Sequence, residues 1–186
     1  VYLPRCVGAY VGADIVCAIL ASGMREGGTQ LVTDIGTKGE MALVHEGRLS
    51  CCATAAGPAF EGAGLSCGMP AAAGAIRAVH RDGDTVTCET VQNQPPVGIC
   101  GSGILDALAV MLEDETIDDS GYLEEDYPVG GSAVTITQRD VRQIQLAKAG
   151  ICAGRITLLE EENIPAEQVD RCPSAGGGGS PMNGDP

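Results

Sequence analysis

Between residues 30 and 54 three apolar runs, at about 30–35, 40–45 and 48–54, are separated by two short turns that each contain glycine. The first turn is Asp34-Ile-Gly-Thr-Lys-Gly39 and the second is Glu46-Gly47. Strands joined by turns this short pair with their sequence neighbours, so the block predicts an antiparallel meander. The first turn also has chemistry. An acid at a strand end can hold Mg²⁺ through water, and a Thr hydroxyl with backbone N–H groups can take phosphate oxygens. Glycine at the bend lets a ligand approach the backbone closely. The same pattern also serves an ordinary surface hairpin.

At 186 residues the chain has room for about one domain. Five aromatic residues and no Trp leave a core of Val, Ile, Leu, Ala and Met, and give a base-stacking nucleic-acid module too few rings. A net charge of −14 repels a polyanion and an anionic membrane surface alike. With only Lys38 and Lys148 as lysines, any phosphate ligand must be held by backbone amides and a metal ion. The apolar stretch from Val11 to Met24 is too short to span a bilayer and contains Asp14.

The nine cysteines show no CxxC and no zinc or iron–sulfur spacing. They read as reduced thiols in a cytoplasmic protein. The neighbours Cys51 and Cys52 form either a redox or metal pair, or two side chains on opposite faces of one strand. The chain opens on Val1 without an initiator Met and closes on the Gly-rich segment Ser174 to Pro186, and so reads as a fragment of something longer.

Along the chain, Val7 to Tyr10 reads as a short strand and 12–14 as the opening of a helix with Asp14 as its cap, closed at Ser22-Gly23. Residues 55–64 form a Gly/Ala-rich loop with a short helical turn. Segments 73–80 and 84–91 read as a strand pair across Asp82-Gly83. Gly98 to Gly103 leads into a helix whose apolar face carries Ile104, Leu105, Leu108, Met111 and Leu112, with Ser102 as a candidate cap. Residues 114–132 are acidic and turn-rich. Thr137-Gln-Arg-Asp140 fits a capping box. The helix it starts carries Val141, Ile144, Ala147, Ile151 and Leu158 on one stripe and runs to about Glu162. A last short strand is expected near 168–172.

Three glycine-rich turns are candidate ligand contacts: Asp34–Gly39, Gly98–Gly103 at a helix N-terminus, and Ala175-Gly-Gly-Gly178. None is a P-loop or a Rossmann fingerprint. The second also serves as a tight loop, and the third as a flexible linker. Gln145 and Lys148, one turn apart, either contact a nucleotide or lie on a solvated helix face.

Together these segments resemble the actin/Hsp70/sugar-kinase ATPase superfamily (ASKHA). Within it they look like one branch, the reductive activators of corrinoid proteins. The resemblance rests on Pro4-Arg-Cys-Val-Gly-Ala-Tyr-Val-Gly-Ala-Asp14, Thr33-Asp-Ile-Gly-Thr-Lys-Gly-Glu40, Ala53-Thr-Ala-Ala-Gly-Pro-Ala-Phe-Glu-Gly-Ala63, Ser66-Cys-Gly-Met69, Gly98-Ile-Cys-Gly-Ser-Gly-Ile-Leu-Asp106 and Ile144-Gln-Leu-Ala-Lys148. It implies an α/β, ribonuclease H-like ATPase lobe: a mixed sheet with an antiparallel meander and helices packed on it. Residues 1–172 would form the second lobe and 173–186 a Gly-rich tail, expected to be disordered.

The resemblance implies that ATP hydrolysis, with Mg²⁺, drives the one-electron reduction of Co(II) to Co(I) in a corrinoid protein. The electron would come from a [2Fe-2S] cluster in an N-terminal ferredoxin-like domain that, like the first ATPase lobe, is missing here. Asp34 becomes the catalytic and metal-binding candidate. Gly36, Thr37, Lys38 and Gly39 would hold phosphate, with Lys38 where the family usually has Asn. Gly101, Ser102 and Gly103 would lie at the cleft, Gln145 and Lys148 would face the nucleotide, and Gly176, Gly177 and Gly178 would flank adenosine. The partners implied are the corrinoid protein, the missing lobe and the ferredoxin-like domain, with a homodimer left open and no nucleic acid or membrane. A kinase-type activator of the same superfamily and a non-catalytic docking domain are the alternatives.

Overall fold

The meander forms where the sequence predicts it. In the computed structural model, which describes residues 4–24 and 27–176, the order is α1 (Ala13–Ser22), β1 (Gln30–Ile35), β2 (Gly39–His45), β3 (Arg48–Thr54), β4 (Ala75–Asp82), β5 (Thr85–Thr90), β6 (Gly98–Ile99), α2 (Gly101–Glu113), β7 (Tyr127–Pro128), β8 (Thr135–Ile136), α3 (Gln138–Glu161) and β9 (Ser174–Ala175). The chain divides into two compact units. Among the described residues, one takes those up to 57 and from 148 onward, and the other takes 58–147. Among the described residues no helix is long and apolar enough to cross a membrane.

The first unit is a four-stranded sheet in the order β3-β2-β1-β9, with β1, β2 and β3 antiparallel and β9 parallel to β1. Both faces of the sheet are covered. Ile15 and Ile19 of α1, with Val11 and Met24, pack on Val32, Ala42 and Val44. Leu158 of α3 and Ile164 pack on Leu31, Met41 and Leu43 opposite. This is why β2 reads as a continuous apolar run rather than an alternating one, since six of its seven residues are buried. Gly154 lets α3 lie close to the sheet; a Cβ there would come within 3.1 Å of the Met41 thioether.

Cys51 packs with the α1 cluster and Cys52 with the α3 cluster, so the vicinal pair straddles the sheet. Burial pushes both thiols up in pKa, and for Cys51 the neighbouring Cys52 adds to the rise.

The second unit holds the β4–β5 hairpin, with β6 added parallel to β4, and α2. The capping box is present. The Thr137 amide donates to Asp140 Oδ2 (2.9 Å), and the Asp140 amide donates to Thr137 Oγ1 (3.3 Å). Asp140 is only 1% exposed. Its burial is compensated because Oδ1 also accepts the Ser66 amide at 2.7 Å and the Ser66 hydroxyl at 3.1 Å. That ties the Ser66–Met69 segment to the start of α3.

Four local expectations are corrected. Val7 to Tyr10 is not a strand: the chain bends, and the amides of Val7 and Gly8 both reach the Val11 carbonyl (3.1 and 3.2 Å). Asp14 does not cap α1; Gly12 is the cap residue, and Asp14 Oδ1 accepts the Ile15 amide at 3.0 Å. Ser102 does not cap α2, because Cys100 holds the cap position and the Ser102 hydroxyl donates to the Arg77 carbonyl at 2.7 Å. The last strand lies at Ser174–Ala175, beyond 168–172, where only an isolated bridge from Arg171 to Gln30 forms. Pro173 does not block this edge. Its carbonyl accepts the Thr33 amide at 3.0 Å, and an edge strand has no need of the missing N–H.

Candidate functional site

In the first unit the sequence builds a tight bend. The β1–β2 ladder closes at Ile35 opposite Gly39, which leaves Gly36, Thr37 and Lys38 as the tip. The Gly36 amide donates to the Lys38 carbonyl (3.3 Å), and the Gly57 amide donates to the Thr37 carbonyl (3.0 Å). The tip is therefore held from within and from the loop that follows β3. Gly39 is needed for packing, because a Cβ there would lie 2.7 Å from Thr54 Oγ1 and 3.2 Å from the Ile151 side chain. Lys38 is exposed, with its ammonium 5.9 Å from the centre of the Tyr10 ring.

The register places Asp34 opposite Glu40. Burial, and then the nearby charge of Asp14, raise the Asp34 carboxyl above its ordinary pKa. Glu40 is 7% exposed, and its Oε1 accepts the Gly12 amide at 2.8 Å. Its pKa is also raised, first by burial. The Gly12 amide opposes that rise, while a hydrogen bond to Asp14 and the charges of Asp14 and Asp34 reinforce it. The ion pairs formed among the described residues leave these three acids out. Among the described residues, no group of three His, Cys, Asp or Glu has the arrangement of a metal cage. Asp34 is the carboxylate that the hairpin offers to a ligand; magnesium binds through one or two carboxylates, with water and substrate phosphate completing its shell.

Strand β9 brings the start of the glycine run to this hairpin. Ala175 pairs with Asp34. At Gly176, which has φ +112, a Cβ would overlap the Ile35 carbonyl and sit 2.7 Å from Asp34 Oδ1. Gly177 and Gly178 lie outside the described residues. Lys148 is exposed on α3 and belongs to the first unit.

Gly101, Ser102, Gly103 and Gln145 belong to the second unit. Gly101 and Gly103 are close-packing positions. A Cβ on Gly101 would overlap the Phe60 carbonyl, and one on Gly103 the Ile76 carbonyl. The first-turn amides of α2 are those a helix leaves unpaired within itself. The Gln145 amide is engaged locally: Nε2 donates to the Ser120 carbonyl (2.9 Å), and Oε1 accepts from Arg142 (2.6 Å).

Sequence reasoning missed the part played by Glu40 and gave Asp14 only a capping role. The signal was there. A three-residue tip between positions 35 and 39 sets 34 against 40 and puts both side chains on one face.

The sequence family described as the C-terminal domain of RACo, the ASKHA domain, matches residues 28–185. Corrinoid activation enzyme RamQ of Eubacterium limosum is 33% identical over 202 residues, covering 94% of this chain and 34% of that protein. The [Co(II) methylated amine-specific corrinoid protein] reductase of Methanosarcina barkeri is 30% identical over 203 residues, covering 97% and 38%. A solved structure, a reductive activator for corrinoid, iron-sulfur protein, superposes with TM-score 0.86 at 38% identity, covering 97% of this chain and 32% of that one. The chain thus spans about a third of the length of each of these relatives.

Proposed function

This chain belongs to the family of RACo C-terminal ASKHA domains, and on that premise we propose that it is the second, nucleotide-binding lobe of an ATP-dependent reductive activator of a corrinoid protein. The observation that carries the reading is the meeting of Asp34 and Gly176. The hairpin expected to hold phosphate and Gly176, the first residue of the run expected to flank adenosine, lie against each other in one unit.

In this reading Asp34 orients Mg²⁺ through water, while Thr37 and the backbone around Gly36 and Gly39 face the phosphates. Lys38 stands at the exposed tip as a further phosphate contact. Lys148, in the same unit as the hairpin, is a further candidate nucleotide contact from α3. ATP hydrolysis supplies the driving force for a reduction that is uphill by itself. A [2Fe-2S] cluster in a ferredoxin-like domain would supply the electron that takes Co(II) to Co(I). That domain and the first ATPase lobe would be parts of the same longer protein. The residues of this chain need form no covalent intermediate; positioning and charge neutralisation suffice.

The test is reduction of a corrinoid protein by the full-length activator, with a chemical reductant, followed by the visible spectrum of cobalt. Co(I) should accumulate with ATP and not without it. Asp34→Ala should abolish that accumulation. Substrate phosphorylation without Co(I) would favour a kinase-type activator. Binding of the corrinoid protein without nucleotide would favour a docking domain.

A further inference from the structure

Glu40 sits where an acid is costly to keep. It lies on the inner strand β2 with only 7% of its surface exposed. A carboxyl is tolerated there only if its oxygens are occupied. The group that occupies it comes from the entrance to α1: the Gly12 amide donates to Oε1 at 2.8 Å, and the Asp14 carboxyl lies near enough to act on Glu40. A second tie, the Lys38 ammonium over the Tyr10 ring, joins the same two segments. The bend at 10–14 and the hairpin at 34–40 are therefore linked at both ends, and Asp34 lies opposite Glu40 in the ladder.

We propose that Glu40 is a positioning residue, which holds the entrance of α1 against the hairpin so that Asp34 and the tip keep the geometry that takes magnesium-nucleotide. This rests on the reading of that hairpin as the phosphate site. Glu40 touches no ligand. It acts through Gly12 and Asp14.

The experiment compares Glu40→Ala and Glu40→Gln with the parent in the full-length activator. Two quantities are read: Mg·ADP affinity by calorimetry, and backbone hydrogen exchange over residues 7–16. Glu40→Ala leaves the Gly12 amide without its acceptor. Exchange over 7–16 should quicken, and affinity should fall by about tenfold. Glu40→Gln keeps an oxygen for Gly12 and adds an N–H for Asp14, so both quantities should stay within about twofold of the parent, which is under 0.5 kcal/mol. If Glu40→Ala does not fold, Glu40→Asp, whose carboxyl is drawn back by one methylene, should show the same loss. Faster exchange with unchanged affinity would overturn the proposal and leave Glu40 as a staple of the fold. Equal loss in Gln and Ala would overturn it in favour of charge. A parent that takes up no nucleotide would overturn the phosphate-site reading and this proposal together.

Discussion

Gly176 packs against Asp34 so closely that a side chain at 176 would sit 2.7 Å from Asp34 Oδ1. The approach is fixed by β9, whose Ala175 pairs with Asp34 itself. Gly176→Ala must therefore strain a backbone at φ +112 and push on both the Ile35 carbonyl and Asp34. Expected are a stability loss of about 1–2 kcal/mol and a fall of about tenfold in Mg·ATP affinity, read by urea unfolding and calorimetry. Unchanged affinity would mean that Gly176 shapes the fold but not the site.

The two residues at the start of α2 separate packing from capping. Gly101→Ala forces a Cβ into the Phe60 carbonyl and should cost about 2–3 kcal/mol. Ser102→Ala removes one hydrogen bond to the Arg77 carbonyl from a side chain that caps nothing, and should cost about 1 kcal/mol or less. Urea midpoints of the two variants check the order. A larger loss at Ser102 would contradict it.

The raised pKa of Glu40 fixes the sign of a pH effect. A carboxyl whose folded pKa lies above its unfolded value binds its proton more tightly in the folded state. Its contribution to stability is full below the unfolded value, 4.5, and is lost as pH rises through the folded pKa. Glu40→Gln removes that loss. The variant should match the parent in acid and exceed it in stability near neutral pH, as read by unfolding at two pH values. A variant that is less stable near neutral pH would show that the charged form is the stabilising one.

Cys51 and Cys52 both have raised pKa values and face opposite sides of the sheet. The thiolate is the reactive species. Both should alkylate more slowly near pH 8 than the exposed Cys6, Cys152 and Cys172, because burial both shields the two thiols and disfavours their thiolates. Peptide mass mapping after timed alkylation reads this directly. Fast labelling of the pair would restore a redox role.

The parts legible in the sequence are those set by near neighbours. The meander follows from three runs and two turns, and α3 from Thr137 and Asp140, three residues apart. The elements missed are those that distant residues decide. β9 is two residues long and exists because β1, some 140 residues earlier, offers it an edge. Val7 to Tyr10 is missed for a local reason instead: its residues are strand-like, but the amides of Val7 and Gly8 turn back to Val11. Ser102 looks like a cap until the Arg77 carbonyl arrives from β4. The hairpin was readable as a motif, whereas the burial of Glu40 beneath Gly12 needed the helix in place.

The most direct measurement is calorimetric titration of ATP into the full-length activator, with and without Mg²⁺, for the parent and Asp34→Ala. Magnesium-dependent binding should appear in the parent and weaken by at least about a hundredfold in Asp34→Ala. Equal binding by both proteins, or none by the parent, would contradict the assignment of the Asp34 hairpin as the phosphate site.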